Sequence, residues 1–165
     1  MEQIVKNFNW SELKSGEVIK IGCDGASKGN PGAGGFGWYH SANLYGFGGS
    51  LKATNNAMEL EALRSVLKTI PESIELELFL DSKYVIDSLT KYIFAWRKNG
   101  YLTSNGGEIA NKEAIMEIDF LLKSRVGKVK FFWVKGHAGH PLNEAADRLA
   151  NVGAVKYGKA KTFLK

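Results

Sequence analysis

The chain has 165 residues and carries 22 Lys and Arg against 17 Asp and Glu, a formal charge of +5 with a pI near 9.2. Its 44% hydrophobic and 24% charged residues exclude a disordered chain or a fibre, and the length suits one domain around one substantial core. The basic balance favours an anionic partner, nucleic acid first, while the single cysteine, Cys23, excludes an intrachain disulfide and a cysteine-rich zinc site.

In chain order, residues 1–17 read as a short irregular extension. Glu2, Asn7 and Asn9 precede any sustained apolar stretch, so no secretory leader is expected and the expected location is the cytoplasm. Residues 18–24 read as a strand, with Ile19, Ile21 and Cys23 on one face; Cys23 is expected to be a buried small hydrophobe. The strand is bounded by Gly25 and the turn sequence from Gly29 to Gly32. Two short glycine-rich strands follow at 35–40 and 43–50; their glycines weaken a strand but permit close backbone approach. Residues 56–70 form a helix whose core stripe is Ala62, Leu63, Val66 and Ile70, with Pro71 as its stop. A strand at 74–80, a short helix at 82–89 and an aromatic, basic segment at 92–101 come next. A helix at 108–123, a strand at 128–134 and a helix at 142–156 complete the set. The longest apolar runs, such as Phe131 to Val134, are far too short to cross a bilayer, so no membrane association is expected. Lys156, Lys159, Lys161 and Lys165 crowd a tail at 156–165, which reads equally as a phosphate-attracting extension or a solubilising end. The order of elements implies an α/β domain around a mixed sheet.

Four carboxylates stand out by position. Asp24 and Asp81 each end a strand, and parallel sheets gather ligands beyond such ends, so the two meet if their strands are neighbours. Asp81 is also explicable as a helix cap before Ser82. Glu59 lies three and four residues before Ala62 and Leu63, on the inward side of its helix, where an ionised carboxylate calls for a cation. A helix turned slightly, with Glu59 reaching water, is the alternative. Asp147 lies in the first turns of the last helix above Ala150 and Ala154, small residues that permit close approach to a sheet; the helix dipole accounts for such an acid equally well. Acids gathered in one pocket repel one another unless divalent cations compensate, and an all-oxygen set suits magnesium or manganese rather than zinc. Such ions support phosphodiester hydrolysis without a protein nucleophile.

The motifs CDGASKGNPG at residues 23–32, TNNAMEL at 54–60, LDSKYV at 80–85 and WVKGHAGHP at 133–141, with Asn143, Glu144 and Asp147 beyond, resemble bacterial-type ribonuclease HI, of the retroviral-integrase-like superfamily. The resemblance runs from about Ile19 to Val155 and makes 18–155 the expected catalytic domain. It implies the ribonuclease H-like fold, a mixed five-stranded sheet flanked by helices. It implies a magnesium-dependent endoribonuclease that cuts the RNA strand of RNA–DNA hybrids, leaving 3′-hydroxyl and 5′-phosphate ends. Asp24, Glu59, Asp81 and Asp147 become the metal ligands, for two Mg2+ with substrate bound or Mn2+ as substitute, and Asp24 is expected on both ions. His137 matches the family's mobile active-site histidine, suited to proton transfer or product departure. His140 reads as a structural loop residue, and no motif supports His40. A monomer with no obligate protein partner is expected.

Selecting RNA requires reading the 2′-hydroxyl. The resemblance assigns this to Ser27, Asn30, Thr54, Asn55 and Asn56, although Asn56 also reads as the cap of the Glu59 helix. Lys83 is placed near a phosphate or in solvent. In the 91–101 segment, Arg97 and Lys98 are expected on DNA phosphates. Trp96 is assigned to deoxyribose, with the alternative that it and Ile93 pin the segment to the domain. The acid Asp147 follows Ala146, where many bacterial relatives have a basic or cysteine residue, a departure expected to tune affinity more than chemistry. Two competing readings remain: a DNA resolvase or integrase core, which would cut duplex DNA, and an inactive hybrid-binding module, which would bind without turnover.

Overall fold

The computed structural model describes residues 8–13, 16–29, 31–136 and 139–163, with side chains through Lys156. Its strands are β1 (Val18–Lys28), β2 (Gly32–Ser41), β3 (Leu44–Ala53), β4 (Glu75–Leu80) and β5 (Val129–Trp133). The helices are α1 (Asn55–Thr69), α2 (Lys83–Asp87), α3 (Ile93–Asn99), α4 (Lys112–Ser124) and α5 (Pro141–Phe163). The five strands form one sheet in the order β3-β2-β1-β4-β5. The β1, β2 and β3 strands are antiparallel neighbours, whereas β4 and β5 run parallel to β1. This is the expected α/β ribonuclease H-like architecture.

The first strand does not stop at Asp24. Its pairing with β4 ends at Gly22 opposite Phe79, but pairing with β2 continues to Lys28 opposite Ala33. Gly25 is therefore no strand terminator. A Cβ there would stand 2.3 Å from Glu59 N, so glycine lets the backbone of α1 settle against the strand. Helix α1 begins one residue earlier than expected and is capped by Thr54, whose Oγ1 accepts from Ala57 N at 3.1 Å. A threonine in extended backbone three residues before that amide is the better cap, and Asn56 lies inside the first turn. The expected stripe of Ala62, Leu63, Val66 and Ile70 is buried against the sheet, and Trp38 Nε1 donates to Ser65 Oγ at 2.7 Å beneath it. Beyond α1, Arg125 donates to the carbonyls of Ile70, Pro71 and Ile74 at 2.9, 2.9 and 2.8 Å, satisfying the end of the helix and the turn into β4.

The opposite face of β1, β2 and β3 is covered by α5, and glycines make this possible. A Cβ at Gly35 would meet Ala150 O at 2.0 Å, and one at Gly37 would meet Ala146 O at 2.4 Å. On the helix side, a Cβ at Gly153 would meet Gly48 O at 2.1 Å, while Ala146, Ala150 and Ala154 are buried. The small-residue reading of this helix is thus matched by small residues on the sheet.

Three expectations change. The segment at 92–101, read only as aromatic and basic, is largely helical: α2 continues through a wide π turn at Ser88–Tyr92 into α3, which ends at Gly100 with φ 77°. Helix α4 starts at Lys112, because a bridge between Leu102 and Glu108 and a bond from Thr103 N to Gly107 O at 2.7 Å hold the preceding residues in a turn. At the ends, Phe8, Trp10 and Leu13 pack against the core, with Phe8 and Trp10 ring centroids 4.8 Å apart, so part of the supposed extension belongs to the domain. The α5 backbone likewise runs past residue 156 to Phe163 rather than giving way to a tail.

Candidate active site

Adjacent parallel strands deliver the first two acids. Asp24 lies two residues beyond the last β1–β4 pair, and Asp81 directly follows β4. Glu59 arrives from α1, seated by the glycine at position 25. Oxygen atoms of Asp24, Glu59 and Asp81 all lie within 4.8 Å of one another. They line a cleft of about 540 Å³ with Gly25, Ala26, Ser27, Asn55, Ser82, Asp147 and Asn151. Asp147 reaches this cleft from α5 but stands outside the tight group of three. Its proximity helps raise the proton affinity of Asp24, and Asn151 Nδ2 donates to the Asp147 carbonyl at 2.9 Å and to its Oδ1 at 3.3 Å.

Asp24 and Glu59 are only 6% and 5% exposed, which makes their charge expensive. Burial, then Asp81 and the hydrogen bond to Asp147, push the Asp24 carboxyl up to about 8. Burial, then the hydrogen bond and charge of Asp81 and the nearby Asp24, push Glu59 up to about 10. Glu59 Oε2 is buried without a hydrogen-bond partner. Among the described residues, no Lys or Arg forms an ion pair with any of the four acids. A cluster of hard oxygen donors with uncompensated charge fits a hard divalent cation.

The remaining expected site residues divide. Ser27 and Asn55 meet in the cleft, Ser27 Oγ donating to Asn55 Oδ1 at 3.1 Å. Thr54 commits its hydroxyl to the helix cap, and Asn56 is half-buried beside the cleft lining rather than in it. Asn30 and His137 lie outside the described residues. Lys83 Nζ sits 4.5 Å from the Trp133 ring centre. His140 stacks on Phe79 at 4.8 Å and its Nδ1 accepts from Asn143 N, the structural part expected of it. His40 Nδ1 lies 2.8 Å from Lys20 O, away from the acids.

Arg97, expected on a DNA phosphate, is paired within the chain. Its guanidinium folds back onto the buried Asp119 of α4 through two hydrogen bonds, Nε donating at 3.0 Å, and Tyr101 Oη donates to the same acid at 3.4 Å. Trp96 packs against the core and against Tyr92, 5.8 Å between centroids, which is the pinning alternative. Lys98 is exposed. The two basic residues should therefore separate on substitution. Arg97→Ala is expected to cost about 1–2 kcal/mol of stability, discounted for a side chain 32% exposed. Lys98→Ala should leave stability unchanged and reduce the salt slope of hybrid binding by about one counterion. Urea melts and binding titrations at several salt concentrations check both, and an unaltered slope would return Lys98 to the solvated surface.

Two asparagines have parts that the sequence reading did not assign, Asn143 standing there only within a motif. Asn151 follows Asp147 by one helical turn, a spacing that could have marked it. Asn143 is buried and its Nδ2 donates to Cys23 O at 3.4 Å, fixing the start of α5 beside Asp24; nothing local in the sequence announces that contact.

Residues 16–155 match the family model for RNase H. A ribonuclease H of Rhizobium etli is 43% identical over 150 residues, covering 88% of this chain and 98% of the relative. A ribonuclease H of Tropheryma whipplei is 44% identical over 146 residues, covering 88% and 89%. The crystal structure of LC9-RNase H1, a type 1 RNase H with the type 2 active-site motif, superposes with a TM-score of 0.71 at 24% identity, over 84% of this chain and 72% of that one. That last likeness is one of fold.

Proposed function

Since the chain belongs to the RNase H family, in its bacterial-type ribonuclease HI branch, we propose that it cuts the RNA strand of RNA–DNA hybrids internally, leaving 3′-hydroxyl and 5′-phosphate ends. The observation that carries this reading is the convergence of Asp24, Glu59 and Asp81 within 4.8 Å, with Asp147 on the rim of the same cleft. These four acids would hold two Mg2+ when substrate is bound, and Mn2+ is a chemically close substitute. Held by these residues, such ions would supply charge neutralisation of the carboxylates, water activation and stabilisation of the leaving oxygen in an in-line displacement.

The chain's own groups supply the rest. Asp24, which shares the tight group with Glu59 and Asp81, would be the ligand in contact with both ions. Asp147, approaching from α5, is placed to orient the attacking water. His137 is assigned proton transfer and departure of the product phosphate. The Ser27–Asn55 pair offers a donor and acceptor to a 2′-hydroxyl in the shallow minor groove, with Asn30, Thr54 and Asn56 completing that edge. Lys83 and Lys98 meet phosphates, which position the duplex without reading its sequence. All four acids come from one chain, which supports a monomer acting without an obligate protein partner. No helix among the described residues is long and apolar enough to cross a membrane, and a cytoplasmic site of action accords with the substrate.

One labelled sequence prepared as hybrid, duplex DNA, duplex RNA and single-stranded RNA tests the reading, each with Mg2+ and with chelator. Internal cuts confined to the RNA of the hybrid, and abolished by chelation, are expected. Cuts in duplex DNA would replace this function with a resolvase-like one, and binding of hybrid without cuts would leave an inactive module.

A further inference from the structure

Trp133 ends the edge strand β5 as an exposed residue, 48% accessible, in contrast to the wholly buried Trp38. An exposed indole ordinarily donates to water, yet Trp133 Nε1 donates to the main-chain carbonyl of Asp81 at 3.0 Å. That carbonyl lies just past the reach of the sheet. Leu80 and Trp133 are the last paired residues of β4 and β5, and Val134 N donates to Leu80 O at 2.8 Å. The indole supplies the next rung, which the backbone does not provide. Its ring simultaneously carries the Lys83 ammonium, 4.5 Å from its centre. On the carboxylate side, a Cβ at Gly136 would stand 3.0 Å from Asp81 Oδ2. The end of β5 thus grips Asp81 by its main chain, and the glycine at position 136 leaves room for its carboxylate.

We propose that Trp133 is a positioning residue: its N–H fixes the main chain of Asp81 so that the carboxylate meets Asp24 and Glu59, and its ring holds the Lys83 ammonium beside the cleft for a substrate phosphate. The inference rests on the proposed reading of the acids as metal ligands. It differs from a packing role because Trp133 is an exposed residue outside the core, and because its hydrogen bond ends on the main chain of an acid of the site. Cation–π contact restrains a flexible lysine without neutralising it, leaving its charge available to phosphate.

The test compares the full chain with Trp133→Phe, Trp133→Leu and Lys83→Met. Trp133→Phe keeps a ring and deletes the N–H. It should lower kcat about tenfold, the upper range for one lost hydrogen bond, and raise the half-saturating Mg2+ several-fold, with the KM for hybrid within about twofold of wild type. Trp133→Leu should add a rise in KM, and Lys83→Met should show that rise alone. Thermal melts accompany each variant. Wild-type kcat and Mg2+ midpoint in Trp133→Phe would overturn the proposal whatever its melting temperature. A fall in kcat with the metal midpoint unmoved would overturn it equally. If the wild-type chain leaves hybrids uncut, the functional reading fails on its own, and Mn2+ affinity measured by calorimetry still decides this one. Weaker binding by Trp133→Phe than by wild type supports the positioning role, and equal binding refutes it.

Discussion

Asp24→Asn is expected to reduce hybrid cleavage by about three orders of magnitude, equivalent to roughly 4 kcal/mol of lost transition-state stabilisation, while making the metal-free protein more stable. Asp24 shares the tight group with Glu59 and Asp81 and feels the charge of Asp81 and of Asp147, so its removal deletes a ligand and a source of repulsion together. The sign follows from the raised carboxyls. Asp24 at about 8 and Glu59 at about 10 hold protons more tightly in the folded chain than in the unfolded one, where such groups titrate near 4. Their stabilising contribution is complete below about pH 4 and is lost as pH rises through 8 and then 10. In chelator, wild-type stability should therefore fall between pH 5 and pH 9, and added Mg2+ should restore much of it. The variant should melt close to wild type at pH 4 and clearly above it at pH 9, by roughly 2 kcal/mol since the acids share their protons. A melting difference that shrinks with rising pH would contradict this account, and near-normal turnover would remove Asp24 from the chemistry.

Gly35→Ala should damage the fold first and the chemistry through it. The added Cβ would lie 2.0 Å from Ala150 O and 2.3 Å from Ala154 N. Both are backbone atoms, so no side-chain rotation relieves the clash and α5 must lift from the sheet. A loss of about 3 kcal/mol is expected, at the upper end for overpacking, which lowers a urea midpoint by roughly 1.5 M. The folded remainder should also cleave slowly, because the same helix carries Asp147 to the cleft. A wild-type urea midpoint would show that α5 is held less closely than its contacts indicate.

These two residues illustrate what could be read before folding was considered. Asp24, Asp81 and Glu59 were legible because strand ends and helical periodicity are local properties, and each placed its acid toward the same end of the sheet. The parallel pairing of β1 with β4 then brought them together. Gly25, Gly35 and Gly37 were misjudged or only half understood, because a glycine's reason can lie in a helix far along the chain. The Thr54 cap was displaced to Asn56 by a helix start read one residue late. Arg97 read as a phosphate contact because nothing adjacent revealed Asp119, 22 residues further on. Trp133 was quoted within a motif, but its bond to Asp81 spans 52 residues and exists only once β4 and β5 lie side by side. The family resemblance supplied the grouping of Asp147 with the other acids, and the structure sets that residue at the rim.

The docking of α5 also bears on when the chain becomes active during synthesis. Asp24, Glu59 and Asp81 leave the ribosome well before Asp147, and the element that carries Asp147 is the one that covers β1, β2 and β3. A nascent chain ending at Gly136 would hold three acids and a bare, glycine-lined sheet face. Completion of the carboxylate set and closure of that face are one event, so a translating ribosome releases a nuclease only after its final helix has emerged and folded back.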